Sequence, residues 1–292
     1  MRQFFFRLLQ IIPVLYLTTG CHHTQNPKTD VVEIVLKPGR EPEETTFRDW
    51  ETLGAGTAFI QSAHPTGTDV ALVFAGWSVS MPHTQQWATA LWHQKLGALG
   101  VGRLYAVQGP DDPLYPQDEW ATRLLAEHLV AQLRQQGAFR IFVIAHSSGA
   151  FVAHQFFQHL LTMGESAAQT AQGKIHYYNL DGGIGSGRTA LTPQVAAFLA
   201  KIKAISVEDP TTQSRAANAE DMEAIAQQFP NQAMFRLLQT TDSGCEAHAK
   251  WCLHDVLITK HPANPKSFDL VRDYGELGQP ERPVQTDYLD LE

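Results

Sequence analysis

Two kinds of apolar spacing alternate along this chain. Short continuous runs such as DVALVFAGW (residues 69–77), RLYAVQ (103–108), RIFVIA (140–145), KIHYYNL (174–180), KAISV (203–207) and AMFRLLQT (233–240) are bounded by polar or turn-forming residues. The first predicts a strand buried on both faces, and the others predict strands. Val31–Leu36 and Thr57–Ile60 are shorter strand candidates, with HPTG as a turn after the second. Between the runs, apolar residues return every three or four positions. From Thr84 onward they include Trp87, Leu91 and Leu99; later Trp120, Leu124, Leu125, Leu129 and Leu133 share one face until Gly137. These stretches predict helices, as do the segment running to Met163, TPQVAAFLAKI with Pro193 at its start, and NAEDMEAIAQQF capped by Asn218.

Strand–helix alternation of this regularity predicts an α/β architecture, a mostly parallel sheet with helices on both faces. No internal repeat interrupts it. One domain over residues 31–275 is expected, preceded by a polar, aperiodic tether at 22–30 and followed by a C-terminal tail at 276–292.

Charge removes one class of function. The chain of 292 residues is 43% apolar and 18% charged, with a formal charge of −8 and no Lys/Arg block. A nucleic-acid partner needs a basic face, so none is expected. The first twenty residues are predicted not to belong to the fold. Arg2 and Arg7 precede an apolar stretch from Leu8 to Leu17 and then small residues, the pattern of a signal peptide too short to span a bilayer comfortably. The ending LTTGC resembles a bacterial lipoprotein signal, with Thr18 where that family usually has Leu. The resemblance implies lipidation at Cys21 and attachment through an N-terminal lipid anchor; His22 after it favours the outer membrane. Export leaves Cys245 and Cys252 as a pair, and an oxidising compartment predicts a disulfide between them. The short loop would contribute about 2–3 kcal/mol on the chain-entropy account. No metal site is expected, because two Cys with one His between them make a poor tetrahedral set.

The chemistry concentrates at one corner. In FVIAHSSGAFVAHQFF (142–157) a strand pattern stops at His146-Ser147-Ser148-Gly149 and becomes a helix pattern at once. A side chain protruding from so sharp a turn needs small neighbours two positions before and after it. For Ser147 those are Ala145 and Gly149; for Ser148 they are His146 and Ala150, and the imidazole does not fit. Ser147 is therefore the expected nucleophile. Ser148 is expected to offer its backbone N–H, at the head of the new helix, to an oxyanion.

AHSSG resembles the G-x-S-x-G nucleophile elbow of the α/β-hydrolase family, with Ala145 in place of the first Gly. The resemblance covers nearly the whole mature chain and implies that family's fold. It implies a second oxyanion donor in the loop after the DVALVFAGW run, where Trp77 follows Gly76 and Ala75 stands in place of the family's His. It also implies a base after the last strand. His254 is preferred over His248, because WCLH resembles the Cys-x-His arrangement of pancreatic-type lipases. The acid lies after one of two strands: Asp209 in VEDPTT is slightly preferred over Asp181 in YYNLDGG, with Glu208 third. The run GGIGSG (182–187) lacks dinucleotide-loop spacing and is expected to form a flexible lip of the cleft. His154 and His159 lack metal-type spacing and are expected on a helix surface.

These residues imply a serine hydrolase of carboxylic esters that needs no cofactor and acts on a small-molecule acyl ester. About a dozen residues separate Asp181 from the next helix, which leaves no room there for a large lid domain. An acyltransferase using the same triad, and a non-catalytic surface binding protein of the same fold, are the alternatives.

Overall fold

A computed structural model describes residues 29–33, 51–54, 57–61, 67–77, 79–110, 119–136, 139–182, 192–208, 228, 234–241 and 286–290. Among the described residues nine strands form one sheet: β1 (Thr29–Glu33), β2 (Glu51–Gly54), β3 (Thr57–Gln61), β4 (Asp69–Phe74), β5 (Val101–Val107), β6 (Ile141–His146), β7 (Ile175–Leu180), β8 (Lys203–Glu208) and β9 (Met234–Thr241). Their spatial order is β1-β9-β8-β7-β6-β4-β5-β3-β2. All neighbours pair in parallel except β2 with β3 and β3 with β5.

The continuous apolar run of β4 and its neighbours β6 and β7 are central strands buried on both faces. Val70, Leu72 and Phe74 of β4 pack with Val143 and Ala145 of β6 and Tyr177 of β7 on one side. Ala71 and Val73, with Phe142, Ile144, Tyr178 and Leu180, pack on the other. Successive side chains point to opposite faces, so each run must be apolar throughout. Helices α2 (Glu119–Gln136), α3 (Gly149–Thr162), α4 (Glu165–Gln172) and α5 (Pro193–Leu199) supply residues to the first face, and α1 (Met81–Leu91) to the second. No described helix is long and apolar enough to cross a membrane.

The elements expected between residues 57 and 208 are present, with shifted ends. The helix expected from Thr84 begins at Met81, because Pro82 in the first turn after Ser80 fixes a helical φ. It passes at Trp92–Leu96 into a π-helical turn instead of continuing to Leu99. β2 and α4 were not legible as elements. β1 starts at Thr29, so two residues assigned to the tether pair with Leu237 and Leu238 of β9. The last residues also join the core: Tyr288 and Leu289, in the expected tail, are buried in the α1-side cluster. Burial pushes the Tyr288 hydroxyl far above its ordinary pKa.

At the amino ends of the strands, Asp69 ties β4 to β6. One carboxylate oxygen accepts from the backbone N–H of Arg140 at 2.7 Å, and the other accepts from Arg140 Nε at 2.8 Å. The opposite edge is where the parallel strands end and the loops that carry candidate chemistry begin.

Candidate active site

Parallel pairing brings the carboxyl ends of β4, β6 and β7 side by side, with Phe74 opposite Ala145 and His146 opposite Leu180. The chain leaves β4 towards β5 and returns past it to β6, so this is where the strand order reverses. Open α/β sheets bind ligands at such a point.

The conformation at the end of β6 separates the two serines. Ser147 has φ +53°, a left-handed value for a residue with a β-carbon, whereas Ser148 is helical at φ −62° and caps α3. A left-handed non-glycine residue costs on the order of 1–3 kcal/mol and persists only where its surroundings hold it. Both backbone groups of Ser147 are tied: its N–H donates to Leu180 O at 3.0 Å, and its C=O accepts from Ala150 N at 3.1 Å. The first bond extends the β6–β7 ladder and the second opens the helix, so the change of element is completed across one residue.

Gly149 is required here for a reason the sequence did not reveal. A β-carbon on it would lie 2.4 Å from Phe74 O and 2.6 Å from Ala75 O. The elbow therefore packs, backbone to backbone, on the end of β4. The same contact sets the β4–α1 loop beside the corner. That loop is fixed from its other side: Val79 N–H donates to Gly76 O at 3.3 Å and Gly109 N–H to Val79 O at 3.1 Å. A β-carbon on Gly109 would fall 1.6 Å from Gly76 O. Trp77 is exposed, so it is no core aromatic.

At the end of β7, Asp181 is the second non-glycine residue with a left-handed backbone, φ +47°, and it is fully buried. Its turn is held by Asn179, whose Oδ1 accepts from Gly182 N–H at 2.9 Å. Gly182 is buried, and a β-carbon on it would lie 2.4 Å from Ala150 Cβ and 3.1 Å from Ser147 O. The first glycine of the expected lip is thus packed against the elbow; residues 183–187 lie outside the described residues. Asn179 was missed in the sequence. An Asx side chain bonding a backbone group a few residues on was the available signal.

Structure thus gathers Ser147, Ser148, Trp77 and Asp181 at one edge. Asp209, His248, His254, Cys245, Cys252 and Cys21 lie outside the described residues. β8, neighbour of β7, ends at Glu208, one position before Asp209 in the sequence.

Behind the corner, α3 is buried almost all round, which overturns the surface placement of His154. This ring is fully enclosed, with Nε2 3.3 Å from the Tyr177 hydroxyl and no hydrogen-bond partner for Nδ1. Burial lowers its pKa from 6.5 to about 4. His146, also enclosed, meets the Trp87 ring edge-on at 6.2 Å. On the face covered by α2 and α3, burial raises the Tyr105 hydroxyl, hydrogen-bonded to Gln132, to about 12. Neither His154 nor Tyr105 lies at the carboxyl edge. A groove of about 550 Å³ between α3, α4 and α5, with Gln158, Gln172 and Lys201 among its walls, sits on the outer helical face, away from Ser147. No cluster of three metal-ligating side chains occurs among the described residues.

No family model matches the chain, and no curated protein matches it. Solved structures do resemble it. Carboxyl esterase 2 from the mycorrhizal fungus Tuber melanosporum superposes with a TM-score of 0.47 at 10% identity, covering 73% of this chain and 82% of that one. A thermostable esterase from Pseudomonas putida ECU1011 gives 0.44 at 12% identity, covering 82% and 81%. The hyperthermophilic esterase of the archaeon Pyrobaculum calidifontis gives 0.44 at 11%, covering 64% and 69%. The strand order, the antiparallel start and the strand–corner–helix at 146–149 together define the architecture: this chain has the α/β-hydrolase fold.

Proposed function

We propose that the chain is a serine hydrolase of carboxylic esters, with Ser147 as nucleophile and His254 as general base. The supporting observation is the left-handed backbone of Ser147 at the strand-to-helix corner, with Ser148 helical and Gly149 seated on β4. A strained residue held by its surroundings at the ligand-binding edge of a sheet points to function. In the proposed reaction His254 takes the Ser147 proton as Oγ adds to the ester carbonyl. The N–H groups of Ser148 and Trp77 bind the developing oxyanion, and the alcohol leaves with the proton from His254. Water, deprotonated by the same imidazole, then releases the acid and restores Ser147.

The acid that orients His254 is proposed to be Asp181, with Asp209 as the alternative. Full burial and a left-handed backbone, on the strand next to Ser147, favour Asp181.

The proposal includes lipidation at Cys21 and a Cys245–Cys252 disulfide, both visible as mass changes in the intact mature protein and its peptides. The test of the enzyme is Ser147→Ala. The variant should keep its circular dichroism spectrum and lose p-nitrophenyl ester hydrolysis and fluorophosphonate labelling. Undiminished hydrolysis would remove the serine mechanism.

A further inference from the structure

Trp77 is carried by a loop that backbone contacts hold from two sides. It is the large hydrophobic side chain left exposed among the described residues, at 41% of its surface, while Ala75 and Val79 on either side are 1% exposed. Single exposed apolar residues are ordinary on protein surfaces. This one differs in its mounting and its address. The turn from Gly76 to Val79 is closed by a backbone hydrogen bond, and Val79 O is held by Gly109 N–H. Gly109 leaves no space over Gly76 O, and Gly149 leaves none over Ala75 O. The loop is therefore clamped between the end of β5 and the elbow, and it turns one indole outward from a backbone with little freedom. A rigid aromatic surface loses little entropy when a partner covers it, which makes Trp an effective contact residue.

We propose that the Trp77 indole selects the substrate, favouring esters that carry an apolar group within a few bonds of the reacting carbonyl. The proposal rests on the serine-hydrolase reading, in which the N–H of Trp77 holds the carbonyl oxygen. The side chain of that residue then starts two bonds from the donor nitrogen, so what it touches must lie close to the carbonyl along the substrate. A methyl group there is too small to cover the indole, whereas a propyl chain or a ring covers it. The apolar group belongs to either the acyl or the alcohol half, and the two halves can be varied independently.

The experiment measures kcat/KM for two ester series in the full mature chain and in Trp77→Ala and Trp77→Phe. One series holds p-nitrophenol constant and compares acetate with butyrate. The other holds acetate constant and compares methyl, butyl and benzyl alcohols. Wild type should prefer the larger group in at least one series by about tenfold, the factor for two methylene groups taken out of water. Trp77→Ala should bring that ratio close to one, and Trp77→Phe should keep most of it. The series that responds identifies the half of the substrate that lies on the indole. An unchanged ratio in both series overturns the proposal, as does an equal fall for every ester, which would make Trp77 an element of the reaction alone. Ser147-dependent hydrolysis with unchanged ratios sinks only this inference; hydrolysis that survives Ser147→Ala sinks the mechanism beneath it.

Discussion

Protonating the buried imidazole of His154 should cost the fold a defined amount of stability. The ring has an ordinary pKa of 6.5, which describes the unfolded chain, and burial lowers it to about 4 in the folded one. Among the described residues no anion faces it: the rings of Tyr177 and Phe157 pack against it, and the Tyr177 hydroxyl lies within hydrogen-bonding reach. Between the two pKa values the unfolded chain binds a proton that the folded chain refuses. Stability is therefore complete above pH 6.5, falls as pH drops towards 4, and loses no more from this group below that. A gap of two to three pKa units corresponds to about 3 kcal/mol, most of which is expressed by pH 4.5. That is a large part of the ~5–15 kcal/mol of a typical domain, but not all of it. Urea unfolding of wild type and His154→Gln at pH 7 and pH 4.5 isolates the effect, because glutamine places an amide near Tyr177 without titrating. The wild type should lose about 2 kcal/mol more than the variant between the two pH values. A difference below about 0.5 kcal/mol, well under the linkage value, would refute the reasoning, because the ring would then accept its proton in the fold.

Three further substitutions test the site. Asp181→Asn and Asp209→Asn separate the candidate acids: the true partner of His254 should lose up to about 10⁴ in kcat with its fold intact, and the other should change little. Equal small effects would place the acid elsewhere. Gly149→Ala puts a β-carbon 2.4 Å from Phe74 O, a backbone atom that has no rotamer to yield. It should destabilise the chain by about 1–3 kcal/mol, as overpacking does, and lower ester hydrolysis by shifting Ser147 from the β4 loop. Melting temperature and kcat together report both effects, and wild-type values for both would contradict the packing described.

The sequence carried the fold because the central strands are apolar on both faces, and only a sheet covered by helices on both sides makes them so. The elbow was legible for a related reason: His146 could not occupy a position that needs a small residue, and the left-handed angle falls on Ser147. What escaped is what depends on contacts from distant segments. β2, ETLG, has no alternation to mark it. His154 was misplaced because a helix packed between a sheet and other helices loses its polar side, so a buried His and an exposed one occupy the same spacing. The need for glycine at 149 comes from carbonyls some seventy residues earlier in the chain, and no local pattern carries that. The choice between Asp181 and Asp209 is likewise not written in spacing, since each comes one position in sequence after a strand of the same sheet.

The edge strand β1 has a consequence for how this molecule can be held. It runs parallel to β9, so Thr29 stands at the amino end of the sheet, while the corner at Ser147 opens at the far end. A load applied to the chain at Thr29 therefore enters the sheet at the end away from that corner.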